Sequence, residues 1–239
     1  MALKSQHMLD LSRFTPFEES IGVSFNNKGL LAQAFTHRSY INEHRTSGIE
    51  HNERLEFLGD AVLELVVTEY LFAKYPHKPE GELTSFRSAL VNTSTISTVA
   101  TGLGMNEYLL LSRGESKDTG RARQYILANT FESVIGALYL DQGYEAAKRF
   151  IAANLFHLID DIVEEGLYRD AKSRFQEQAQ EKAGITPNYE TVSEEGPDHD
   201  KKFTVGVFLA AEEIARGDGK SKQEAEQVAA RRALEKKGW

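Results

Sequence analysis

The 239 residues are 41% hydrophobic and 27% charged, carry a formal net charge of −8 and include no cysteine. This balance excludes general disorder, an acidic chain is ill-suited to coat nucleic acid non-specifically, and the missing thiols exclude disulfides and thiolate metal centres. No apolar run approaches the ~20 residues that span a bilayer, and residues 1–13 lack the apolar core of a secretory signal, so a cytoplasmic protein without a membrane partner is expected. The acidity is uneven. The first 167 residues hold 15 Lys/Arg against 22 Asp/Glu, and the remainder 13 against 14. An acidic domain that handles a polyanion needs cations between the two.

Up to about residue 167, apolar residues recur at three- and four-residue spacing, which predicts helices. Breaks are expected at Asn26-Asn27, residues 46–48, residues 76–79 and residues 112–120. In the segment 51–63 (HNERLEFLGDAVL), a helix at about 100° per residue sets Glu53, Glu56 and Asp60 within roughly 60° of one another. Leu55, Leu58, Val62, Leu65 and Val66 gather on the other side and are expected in the core. Stacked carboxylates repel unless a cation or water screens them. Alone, such a stripe fits a solvated helix face equally well.

Further along, residues 79–83 add Glu80 and Glu82 on a turn. A second helix, 125–138, sets Leu127, Phe131, Val134, Ile135 and Leu138 on an apolar side. Asn129, Glu132, Ser133 and Gly136 share its polar side, where Ser133 and Gly136 are small enough for another backbone to approach. Two helices aiming oxygen ligands at one gap would build a Mg²⁺ site. The seven histidines are scattered, with no HExxH pair to suggest zinc.

After a short polar linker at residues 164–166, the pattern changes. A helix over 170–183 ends at Gly184. Strands are expected at 188–193, at 203–209 with Phe203, Val205, Val207 and Leu209 on one face, and around 213–216. A turn at 217–219 follows, and a last helix opens at Ser221 with a capping box to Glu224 and stops at Gly238. The order is α-β-β-β-α.

The run NERLEFLGDAVL, with Thr36-His37-Arg38-Ser39-Tyr40 before it and the Asn129–Glu132 helix after it, resembles the signature motifs of the ribonuclease III family, in the same order. The resemblance covers roughly residues 14–156 and implies an all-α, homodimeric endonuclease domain with a catalytic valley across the dimer. The α-β-β-β-α segment resembles a double-stranded RNA-binding domain. The expected organisation is therefore an all-α catalytic domain over 14–163 joined to a small α+β domain over 169–238.

Position by position, the resemblance makes Glu56, Asp60, Asn129 and Glu132 the metal ligands, for Mg²⁺ with Mn²⁺ as substitute. Asp60 and Glu132 carry the reaction, and Glu53 and Glu80 match acidic residues near the RNA backbone. Phe57, about 40° from the stripe, matches an aromatic that enters a pocket on the second subunit. In the C-terminal module, Gln176, Glu177, His199, Lys220, Ser221 and Lys222 match duplex-binding positions. A-form RNA hides its base edges, so it is read through phosphates and 2′-hydroxyls, and lysines at a helix N-terminus suit phosphate. One position departs from the family pattern: Asn129 stands where Asp is usual, which keeps an oxygen ligand but removes one negative charge.

The resemblance implies hydrolysis of double-stranded RNA to 5′-phosphate and 3′-hydroxyl ends, in processing of structured precursors such as ribosomal RNA, with no organic cofactor. The alternative is a double-stranded RNA-binding protein whose catalysis is impaired or lost through Asn129. A helical metal phosphohydrolase acting on small molecules ranks last, because it leaves the C-terminal module unexplained.

Overall fold

The computed structural model describes residues 9–44, 48–164, 166, 168, 170–197 and 201–239. The chain divides into two compact units, Met1–Tyr168 and Arg169–Trp239.

The first unit is helical: α1 (Thr15–Ile21), α2 (Lys28–Ala34), α3 (Arg38–Glu43), α4 (Glu53–Lys74), α5 (Glu80–Leu90), α6 (Thr93–Gly102), α7 (Arg121–Gln142), α8 (Tyr144–Leu155) and α9 (Leu158–Glu164). The two 22-residue helices, α4 and α7, form its central pair. Phe14, Phe17 and Phe35 pack with Tyr108 at one end of the core. No helix is long and apolar enough to cross a membrane among the described residues.

The expected core face of α4 is only partly right. Leu55, Val62 and Val66 are buried, together with Gly59, Leu63 and Val67, but Leu65 is 55% exposed. Hydrophobicity alone placed Leu65 inward. The direction of the core is set instead by α7, which lies over the side bearing Gly59 and Leu63.

In the second unit, α10 (Ala171–Ala183) starts under an Asp170 cap and ends at Gly184, whose φ of 65° is the left-handed conformation that glycine adopts without strain. Strands β1 (Asn188–Glu195), β2 (Lys202–Leu209) and β3 (Glu212–Gly219) form an antiparallel sheet in that order, and α11 (Lys222–Lys237) follows. Val205, Val207 and Leu209 point into the core as their alternation predicts, whereas Phe203 is only partly buried.

Residues 217–219, expected as a turn, continue β3 instead, paired with residues 203–205 of β2. Their glycines serve packing. A Cβ on Gly217 would overlap the backbone of Ala225 and Ala229, and one on Gly219 would stand 2.6 Å from the Ala225 nitrogen. The strand carries glycine so that α11 can lie against its backbone. The α11 cap also differs from the expected box. Ser221 Oγ accepts from the Glu224 amide at 3.2 Å, but the Glu224 carboxylate accepts from Lys220 N–H at 2.8 Å, one residue earlier than the reciprocal bond requires.

Candidate active site

Helices α4 and α7 cross where glycine faces glycine. A Cβ on Gly59 would overlap the Glu132 carbonyl oxygen and stand 2.9 Å from the Gly136 nitrogen, and a Cβ on Gly136 would overlap the Leu55 carbonyl oxygen. Glycine within a helix costs roughly 1 kcal/mol relative to alanine, and here the close backbone contact offsets it. Interaxial spacing follows the side chains at the crossing, so two glycines bring the flanking residues together. Those residues are Glu56 and Asp60 from α4, and Asn129 and Glu132 from α7.

The electrostatics show the convergence. Glu132 is pushed up to about 8, first by burial and then by the charges of Asp60, Glu56 and Glu64. Burial also raises Glu56, helped by Glu53 and Asp60, while a side-chain hydrogen bond with Asn129 works the other way. Carboxylates from two helices therefore share one partly buried gap. Three carboxylates and an amide oxygen, without nitrogen or sulfur, are the donor set of a hard divalent cation. Among the described residues, no three His, Asp or Glu side chains are already gathered closely enough to hold an ion.

A pH dependence follows. Unfolded Glu132 gives up its proton near 4.5, and the folded group holds it to about 8. Between those values the folded chain binds a proton that the unfolded chain has lost, so this group's contribution to stability is full at low pH and is lost as pH rises through 8. In metal-free protein, raising pH from about 5 to about 9 is expected to lower Tm by several degrees more in the wild type than in Glu132→Gln. Parallel melting curves for the two would remove Glu132 from this role.

The other expected residues fall around this gap. Glu53 acts on Glu56 but lies 3.5 Å from Arg38 and 3.7 Å from His51. Glu80, in the first turn of α5, accepts a hydrogen bond from Thr84 at 3.0 Å and is not among the charges that act on Glu56 or Glu132. Phe57 is 81% exposed. Beside it opens a cavity of about 610 Å³ whose apolar lining includes Leu30, Leu55, Leu58 and Leu140.

Two contributors escaped the sequence reading. Glu64, one turn beyond Asp60, adds to the field on Glu132 while its carboxylate meets Arg87 at 2.8 Å. Its position at i+4 from Asp60 was the available signal. Gly59 was legible too, because glycine inside a strongly helical motif usually has a packing reason.

In the second unit, Gln176 and Glu177 are exposed on α10 and line a shallow depression with Ser173, Gln180 and Glu181. Lys220, Ser221 and Lys222 stand at the N-terminus of α11. Lys222 Nζ lies 2.7 Å from Glu194 and 5.7 Å from the centre of the Phe203 ring. His199 lies outside the described residues.

Comparison with known proteins finds two matching families. Residues 27–159 match the Ribonuclease-III-like family and residues 171–237 the double-stranded RNA binding motif. Ribonuclease 3 of Geobacillus kaustophilus is 48% identical over 227 residues, covering 94% of this chain and 91% of that protein. Ribonuclease 3 of Bdellovibrio bacteriovorus is 44% identical over 231 residues, covering 96% and 98%. A solved nuclease domain of ribonuclease III from Campylobacter jejuni, described as having a flexible region involved in dimer formation, is 40% identical. It covers 59% of this chain and 97% of its own, with a TM-score of 0.53.

Proposed function

This chain belongs to the ribonuclease III family and is a double-strand-specific endoribonuclease, and on that premise we propose that it cuts duplex RNA as a Mg²⁺-dependent homodimer, with Glu56, Asp60, Asn129 and Glu132 holding the cation. The observation that carries this reading is the close crossing of α4 and α7 at Gly59 and Gly136, where burial and then the charges of Asp60 and Glu56 make Glu132 hold its proton well above the usual carboxylate range. Mn²⁺ serves as substitute, and no organic cofactor takes part. The catalytic domain spans 14–163 and the duplex-binding domain 169–238. The cellular role is processing of structured precursors such as ribosomal RNA, in the cytoplasm.

When bound, Mg²⁺ supplies charge neutralisation at the scissile phosphate and a lower pKa for an attacking water. Glu56, Asp60 and Glu132 offer it negative charge, and Asn129 offers a neutral oxygen. Glu53 and Glu80 face the RNA backbone. Water adds to phosphorus, the bond to the 3′ oxygen breaks, and that oxygen takes up a proton, leaving a 5′-phosphate and a 3′-hydroxyl. Gln176, Glu177, His199, Lys220, Ser221 and Lys222 hold the duplex through 2′-hydroxyls and phosphates.

One chain carries one nuclease domain, so cutting both strands at one place takes two copies related by a two-fold axis. Phe57, exposed at a cavity lined by four leucines together with Gln33, Glu50, Glu53 and Arg54, suits a contact in which each copy inserts its ring into the cavity of the other. Such a contact is self-complementary, as two-fold symmetry demands.

The test is incubation of labelled duplex RNA with Mg²⁺ or Mn²⁺, comparing this chain with Asn129→Asp. Both are expected to cut. Restoring the fourth carboxylate is expected to lower the Mg²⁺ needed for half-maximal rate by about tenfold, since ligand charge count tunes affinity. Cutting by Asn129→Asp alone would make this chain a duplex-binding protein with lost catalysis, a reading the comparisons do not support. No cutting by either protein would reject the proposed metal site.

A further inference from the structure

The ligand-bearing turns of α4 and α7 meet at one buried hydroxyl. Ser133 is fully buried on α7. Its Oγ donates to the Asn129 carbonyl oxygen at 2.7 Å and lies 3.4 Å from the Asn52 carbonyl oxygen. A hydroxyl has one proton, so this is a three-centre bond, strong within α7 and longer across to α4. The same Asn52 carbonyl accepts the backbone N–H of Glu56 at 2.9 Å. One oxygen atom thus touches the helix turn that starts at Asn129 and the residue from which the Glu56 turn hangs.

Asn52 is itself fixed. It is buried, its backbone N–H donates to Thr36 at 2.9 Å, and its side-chain amide donates to the Ala34 carbonyl at 3.2 Å. The segment entering α4 is therefore anchored on one side to the α2–α3 junction and on the other to α7. At the next turns, the Gly59–Gly136 contact leaves backbone against backbone. Between them these two contacts set both the distance and the register of the two helices where the carboxylates project.

We propose that Ser133 is a positioning residue for the cation-binding side chains: its hydroxyl ties the turn of α7 bearing Asn129 and Glu132 to the start of α4, which bears Glu56. This rests on the metal reading above. Groups that orient metal ligands from behind typically change affinity by about 10- to 100-fold when removed. A three-centre bond to backbone belongs at the low end. Removing the hydroxyl orphans neither carbonyl's helix bond, so the fold is expected to survive.

Thr130 supplies a matched control. It is equally buried on α7, and its hydroxyl makes the same kind of back-bond, to the Ile126 carbonyl at 2.7 Å, without reaching a second helix. In calorimetric titration of the full chain with Mn²⁺, Ser133→Ala is expected to bind about tenfold more weakly, and Thr130→Val to match the wild type. Ser133→Cys keeps the side-chain shape, on a slightly larger atom, with a weaker donor; it should move in the same direction by a smaller factor and replaces Ser133→Ala should that variant fail to fold. Unchanged affinity in the Ser133 variants, or an equal loss in Thr130→Val, overturns the proposal while leaving the metal site intact. Absence of Mn²⁺ uptake by the wild type overturns both.

Discussion

Glu132→Gln is expected to abolish cleavage of duplex RNA while leaving duplex binding unchanged. Gln keeps the shape and an oxygen donor but removes the charge that faces Asp60 and Glu56. Metal ions typically supply several kcal/mol of transition-state stabilisation, so losing the ligand that α7 contributes with full charge should lower the rate by a factor on the order of 10³. The effect should exceed that of the same substitution at most acidic positions, because Asn129 already leaves α7 with a single carboxylate at the gap. Binding depends on the second unit, whose fold holds its own core around Phe175, Val207 and Ala229. Single-turnover cleavage and a filter-binding titration read the two quantities separately. A variant that still cuts at more than about one-tenth of the wild-type rate would remove Glu132 from the site.

Phe57→Asp is expected to convert the proposed dimer to monomer and to end coordinated cutting of both strands. Burying an aromatic side chain of this size contributes about 1.5–3 kcal/mol. Two-fold symmetry counts the contact twice, so dimer dissociation should strengthen by a factor on the order of 10³. The ring is 81% exposed in the single chain, so the substitution should leave the fold and its thermal unfolding intact. Sedimentation velocity across a concentration series measures the first effect. The ratio of broken duplexes to nicked strands measures the second. A variant that sediments as the wild type does would place the dimer contact elsewhere, for instance along the exposed Leu65 and Phe72.

Much of this was legible along the chain because it is local. Helices α4 and α7 follow from 3.6-residue periodicity, α10 ends where a left-handed glycine stops it, and β2 shows its alternation directly. The motif around Glu56 and Asp60 and the α-β-β-β-α order pointed to the two families that the comparisons then matched. What periodicity reports is which residues share a side of one element. It carries no information about which other element covers that side, and the errors arose there: Leu65 faces outward because α7 lies over Gly59, and residues 217–219 are strand because α11 needs bare backbone beneath it.

The candidate site divides in the same way. Its donor types, their spacing on each helix and the missing charge at Asn129 are properties of the sequence by itself, since they depend only on residue identity and helical pitch. That Glu132 meets the field of Asp60 and Glu56, and that one serine hydroxyl links two helix turns, was decided by the tertiary structure alone. The reason is distance: residues some 70 to 80 apart along the chain interact only when a close helix crossing brings them together, and that crossing depends on two glycines fitting against each other's backbone.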